Sequence, residues 1–192
     1  KLKPLQTSER EGFVVRYLNQ YRKSVDREML SKIVTVEGTS NVLYLRTFLE
    51  ELRLVAKTTN ELDTMKDSYL TAVNPQAMFE KVIVRMRRDF DSNSGLAKDL
   101  VRRTLCLLWA ARSGLSENEL SDLLGTGVNP LPAAILSPFF ISIKCYLLNR
   151  QGYFVFFHGA FRRAVEVLFL SSPEDKKATH RQISDYLRTH AP

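Results

Sequence analysis

"ISIKCYLLNRQGYFVFFHGAFRRAVEVLFL", residues 141–170, decides the fold. Ile141, Ile143, Cys145 and Leu147 alternate with Ser142, Lys144, Tyr146 and Leu148, and this period of two predicts a strand. "NRQG", 149–152, reads as a turn, and "YFVFF", 153–157, as the returning strand. His158 and Gly159 end that strand. Phe161, Ala164, Val165 and Leu168 then fall on one face of a helix. One of the chain's three histidines therefore sits at a joint between strand and helix.

Working outward, helical spacing dominates. "LAKDLVRRTLCLLWAA", 96–111, reads as one helix, and "LSENELSDLLG", 115–125, as another, with Ser116 and Glu119 as its capping box and Gly125 as its stop. "NPLPAAILSPFF" starts a third at about Asn129. The order helix, helix, helix, hairpin is that of a winged helix. A last helix starts near Ser172 or Pro173 and carries Ile183, Tyr186 and Leu187.

The first half is helical throughout. "TSEREGFVVRYLNQY", 7–21, has a capping box from Ser8 to Glu11, and Phe13, Val14, Tyr17, Leu18 and Tyr21 share a face. "DREMLSKIV", 26–34, is a shorter helix. "TSNVLYLRTFLEELRL", 39–54, carries an apolar stripe of Leu45, Phe48, Leu49 and Leu52. A short helix is expected around Leu62–Leu70. "NPQAMFEKVIVRMRRDF", 74–90, opens with Asn74 as N-cap and Pro75 at the first helical position. "DSNSG", 91–95, is small and polar and ends in glycine, so it reads as a linker. The expected fold is mainly α: a helical-bundle domain over 1–92, a winged-helix domain with one β-hairpin over 93–171, and the start of a helical arm over 172–192.

Composition narrows the function. The 192 residues are 44% hydrophobic, ample for a packed core, and the opening "KLKPLQTSER" reads as a piece of something longer. Cys106 and Cys145 lie far apart with no ligand-like neighbours, so reduced core thiols in an intracellular, cytoplasmic protein are expected, with no metal held by this chain. No apolar run approaches the roughly 18 residues of a membrane span. The chain contains no phosphate loop, G-x-G-x-x-G, H-E-x-x-H or C-x-x-C. Carboxylate pairs such as Glu50 and Glu51 read as helix-surface residues. An independent enzyme is not expected.

The net charge of +7 raises nucleic acid as a partner. Groove reading needs Lys or Arg on the recognition helix. The helix expected at about 130–139 has none, and the whole stretch from Gly114 to Ile141 lacks them while holding Glu117, Glu119 and Asp122. The turn of the hairpin offers only Arg150, with Lys144 nearby. The cations sit elsewhere, as Arg85, Arg87 and Arg88, Arg102 and Arg103, Arg162 and Arg163, and Lys176 and Lys177. They read as solvated helical faces, or as a surface for another domain or a polyanion. Nucleic-acid binding is accordingly the weakest reading.

Two motifs carry a family resemblance across nearly the whole chain. "TSNVLYLRTFLEELR", 39–53, resembles the lid motif of STAND-class NTPases, a glycine–x–proline followed by leucines that is written "NPLYL" in nephrocystin-like and NACHT–WD-repeat relatives. "FHG", 157–159, resembles their methionine–histidine–aspartate motif at the end of the wing, with Gly159 where the family has aspartate. The resemblance implies a lid and winged-helix region without the nucleotide-binding core. It implies that His158 contacts the β-phosphate of ADP, and that Asn41, Val42 and Leu43 cover the base, with Val42 standing where the family's proline packs on adenine. The cofactor would be ADP or ATP, held mainly by a core domain outside this chain. The implied partners are that core, a C-terminal tetratricopeptide or WD repeat domain, and further copies on activation. The alternative is a winged-helix adaptor that binds a partner protein. His180 and His190, on the last helix, are expected to face solvent without a role.

Overall fold

The computed structural model describes residues 3–55, 68–126 and 129–190, and the chain divides into two compact units, residues 1–82 and 83–192. The division falls inside one helix, Pro75–Phe90, before the "DSNSG" stretch. The short helix expected around Leu62–Leu70 lies for the most part outside the described residues.

The first unit is helical in its described part. It holds α1 (Thr7–Asn19), α2 (Arg27–Thr35), α3 (Val42–Val55) and the opening turns of α4 (Pro75–Phe90). A 3-10 turn, Glu37–Ser40, leads into α3. Each start is set by a local cap. The Asp26 carboxylate accepts from Met29 N–H at 2.7 Å, and Asn74 Oδ1 from Ala77 N–H at 2.9 Å, with Pro75 first in the helix as its fixed φ allows. The box expected from Ser8 to Glu11 closes earlier: α1 already starts at Thr7, and Glu9 accepts from the backbone N–H of Gln6 at 2.8 Å.

α3 is the centre of this unit. Leu45, Phe48, Leu49 and Leu52 are buried together with Val14 of α1 and Ile33 of α2. Burial does not stop at that stripe. Glu50 is 5% exposed and Glu51 fully buried, which corrects their reading as surface residues. Both carboxylates have partners, as burial demands. Tyr69 donates to Glu51 at 2.9 Å, and Arg53 donates from Nε and Nη2 to Glu50 at 3.0 and 2.7 Å. Arg53 also stacks on the Tyr21 ring, 4.4 Å away, while its carbonyl accepts from Lys23 Nζ at 2.8 Å.

Tyrosines complete the interior. Burial, then the neighbouring Glu50 carboxylate, pushes the Tyr17 hydroxyl far above the ordinary phenol range. Burial raises the Tyr44 hydroxyl to about 12, and it donates to Tyr69 O at 3.1 Å.

The second unit holds the rest of α4, then α5 (Leu100–Ala110), α6 (Glu117–Leu124), α7 (Ala133–Ile143), β1 (Leu147–Arg150), β2 (Tyr153–Phe156), α8 (Gly159–Phe169) and α9 (Pro173–His190). The capping box of α6 is formed as expected: Ser116 Oγ accepts from Glu119 N–H at 3.2 Å, and the Glu119 carboxylate from Ser116 N–H at 2.7 Å. Gly125 ends α6 without a left-handed turn, at φ −68°. It is glycine for closeness, because a Cβ there would lie 2.1 Å from Asn129 O.

The strand expected from Ile141 is a helix instead as far as Ile143. α7 buries Leu136, Phe139, Phe140 and Ile143 at i, i+3, i+4 and i+7, and leaves Ile141 74% exposed. That helical stripe outweighs the coincidental alternation at 141–148. A 3-10 turn, Lys144–Tyr146, follows before β1 begins.

β1 and β2 pair antiparallel, Leu147 opposite Phe156 and Arg150 opposite Tyr153. The turn between them is the expected one. Gln151 and Gly152 have positive φ, 55° and 93°, and Asn149 Oδ1 accepts from Gly152 N–H at 2.8 Å. A third short piece joins from the segment before α6: Leu115 N–H donates to Phe154 O at 3.2 Å and Leu115 O accepts from Phe154 N–H at 2.9 Å. Below the hairpin, Phe140 and Phe154 meet edge to face at 4.7 Å. α8 buries Phe161, Ala164 and Val165 as expected, with Phe169 rather than Leu168 completing the stripe. The described chain is thus mainly helical with one small antiparallel sheet.

Two outcomes follow from this packing. Gly114 has φ 91°, and a Cβ on it would lie 2.7 Å from Phe154 O, so Gly114→Ala should cost about 2 kcal/mol or more in urea unfolding. A cost near zero would mean that the Leu115 pairing gives way freely. The raised Tyr17 and Tyr44 hydroxyls favour folding fully below the unfolded phenol value, and that contribution drains as pH climbs from about 10. Alkaline titration by circular dichroism should therefore unfold the chain, and Tyr17→Phe should move the midpoint to higher pH.

Candidate functional site

The second hairpin strand delivers His158. Phe157 N–H donates to Tyr146 O at 2.9 Å, which keeps the chain extended one residue beyond β2. His158 is extended too, at φ −142° and ψ 142°, and is the N-cap of α8. Its Nδ1 accepts from Ala160 N–H at 3.0 Å, while its carbonyl accepts from Phe161 N–H at 3.0 Å. An imidazole whose Nδ1 accepts a backbone N–H carries its proton on Nε2 when neutral. The exposed edge of His158 is therefore a hydrogen-bond donor at the positive end of a helix.

Gly159 opens α8, and the exposed Arg163 folds back towards it: Arg163 Nη1 lies 3.5 Å from where a Cβ on residue 159 would stand. In the sequence Arg163 stands only as half of a basic pair with Arg162. The available signal was its spacing, one helical turn after Gly159. Its neighbour Arg162 turns the other way, donating to Trp109 O at 3.0 Å with its guanidinium 4.7 Å over the Trp109 ring. The end of α8 thus gathers an imidazole N–H and a guanidinium at one helix N-terminus, chemistry that accepts an anion. An aspartate at position 159 would instead offer Arg163 a carboxylate partner.

Asn41, Val42 and Leu43 lie in the first unit and His158 in the second. Asn41 is exposed and caps α3, its Oδ1 accepting from Leu43 N–H at 3.0 Å and Tyr44 N–H at 3.2 Å. Val42 is the first residue of α3 and, like Leu43, half-buried. This position is where a helix tolerates proline, and Asn41 already has the extended backbone, φ −87° and ψ 119°, that a following proline requires. The family's proline therefore fits the backbone at residue 42.

The basic residues are less free than a solvated face implies. Arg85 is buried and pairs with Asp89 at 2.8 Å, Arg102 reaches Asp175 at 3.6 Å, and Arg103 donates to Leu124 O. His180 is exposed as expected, yet its ring lies 5.5 Å from that of Trp109; the His190 side chain is outside the described residues. Neither cysteine is in a disulfide. Cys106 is buried, whereas Cys145 is only half-buried rather than in the core. Among the described residues no cluster of His, Cys, Asp or Glu could hold a metal ion, and no helix is long and apolar enough to cross a membrane.

No family model matches the chain, and no solved structure does. It is similar to a TPR repeat-containing protein of Dictyostelium discoideum, 25% identical over 183 residues. That alignment covers 95% of this chain and 11% of the relative, so the chain spans about a tenth of the relative's length.

The cap geometry makes a direct prediction. Val42→Pro should be neutral or stabilise the chain by up to about 1 kcal/mol in chemical unfolding. A loss of several kcal/mol would show that residue 42 needs its N–H or another backbone shape.

Proposed function

We propose that this chain is a non-catalytic regulatory module of a STAND signalling NTPase, a helical lid followed by a winged helix. The module closes over ADP held by a separate core and moves away on nucleotide exchange, permitting assembly with further copies. The observation that carries this reading is the exposed His158, which caps α8 through Nδ1 and leaves Nε2 as a donor, with Arg163 folded back towards the neighbouring Gly159. Such a pair suits the β-phosphate of ADP. The pairing of Leu115 with Phe154 supports the winged-helix part, because it adds a third strand position ahead of α6 to the hairpin. The Asn41 cap and the proline-compatible backbone at Val42 support the lid part. The match to a tenth of a TPR repeat-containing protein fits a module that works with protein partners. A cytoplasmic setting goes with this reading.

A second reading, a winged-helix adaptor for a partner protein, is favoured by α7. Its outward side presents Ala134, Pro138 and Ile141 without a single charge. The same feature argues against duplex DNA, since the residues from 114 to 143 carry no Lys or Arg to meet phosphate.

The test is His158→Ala in the parent protein purified with bound nucleotide. Loss of one charge-assisted phosphate contact should speed ADP release about tenfold or more and raise basal self-assembly. Unchanged ADP release overturns the sensor role and leaves the adaptor reading, in which the chain binds its partner regardless of nucleotide.

A further inference from the structure

α9 is 18 residues long, yet none of residues 173–189 is buried. A helix of that length in a packed domain ordinarily hides an apolar stripe. α8 does so, burying Phe161, Ala164, Val165 and Phe169. α9 offers only the half-buried Ile183 and Tyr186, and leaves Leu187 more than half exposed.

What holds α9 is polar. Asp175 faces Arg102 of α5 at 3.6 Å, and Lys176 pairs with Glu166 of α8. Gln182 Nε2 donates to Leu123 O of α6 at 3.1 Å, and the Tyr186 hydroxyl donates to Asp122 at 3.1 Å. Lys176 and His180 also lie against the Trp109 ring, at 5.7 and 5.5 Å. Arg102 and Asp175 are each more than two-fifths exposed, a setting in which ion pairs are weak and salt-sensitive. α9 also fails to seal against α5. A groove of about 240 Å³ runs between them, lined by Arg102, Arg103, Cys106, Leu170, Thr179 and Gln182.

We propose that α9 is a detachable strap, which undocks as a unit at Ser171–Ser172 and uncovers the α5 surface around Cys106 and Trp109. Among the described residues, α9 contributes no buried residue of its own to the core, so its departure exposes only the edge of α5 and α6 that it covers, around Cys106, Trp109 and Leu123. The strap's release is governed by ionic strength and by any partner that competes for Arg102, Leu123 O or Asp122. This conclusion stands whether or not a nucleotide core is attached.

Two built-in probes report on it. Trp109 is the chain's single tryptophan, and Cys106 is a thiol beside the groove. Burial pushes the Cys106 thiol up to about 11, which slows its alkylation while the strap is closed. The experiment is iodoacetamide labelling of the whole chain, resolved by peptide mass spectrometry with Cys145 as the internal reference, from about 50 mM to about 1 M sodium chloride. Cys106 labelling should rise about fivefold with salt, with a red shift of Trp109 emission, while Cys145 holds steady. The double variant Asp175→Asn, Lys176→Gln should reach the raised rate at low salt. If Cys106 labelling ignores salt, or rises only together with Cys145, α9 is an integral part of the unit and the proposal fails. The salt series on the unaltered chain decides this even if the double variant does not fold.

Discussion

The two backbone hydrogen bonds between Leu115 and Phe154 govern the second unit. They tie the segment after α5 to the returning hairpin strand, so α6 and the hairpin cannot shift independently. Gly114 makes the approach possible, since any side chain there would meet Phe154 O and Val155. With β2 fixed, Phe157 is held extended against Tyr146, and the next residue must turn the chain into α8. That residue is His158. Its position follows from strand pairing, and its orientation from the Ala160 N–H it caps. A loop histidine would have neither constraint.

What was legible in the sequence was local. The Asn74 and Ser116 caps and the "NRQG" turn depend on residues within three positions of one another, and all are formed, while the box expected at Ser8 and Glu11 forms two residues earlier at Gln6 and Glu9. The larger misreadings depend on distance. The alternation at 141–148 fits a strand, but Phe139, Phe140 and Ile143 also complete a helical stripe, and packing of Phe140 on Phe154 favours the helix. Glu50 and Glu51 look like surface residues because their partners lie elsewhere: Tyr69 is 18 positions from Glu51. At the candidate site, the strand-to-helix joint at His158 was visible, while the spacing of Arg163 one turn after Gly159 allows its return but does not require it.

The charge distribution bears on function in the same way. The net +7 suggests a polyanion, yet Arg85, Arg102, Arg103 and Arg162 bond to groups of this chain. The uncharged face of α7 is the opposite of what a DNA groove selects. At the start of α8 the exposed His158 caps the helix and the exposed Arg163 folds back towards Gly159. Regulation through so small a site needs a ligand that binds one state better than the other. In the proposed function, differential contact of His158 with a phosphate is what supplies that difference.

The central claim is that His158 caps α8 with Nδ1 and so presents Nε2–H. Nitrogen-15 chemical shifts of the imidazole, recorded at about pH 8 where an ordinary imidazole is neutral, read the tautomer directly. The account predicts a protonated Nε2 and an unprotonated, hydrogen-bonded Nδ1 at His158. A proton on Nδ1 would contradict it, because the cap would then be broken and the outward nitrogen could no longer donate to phosphate.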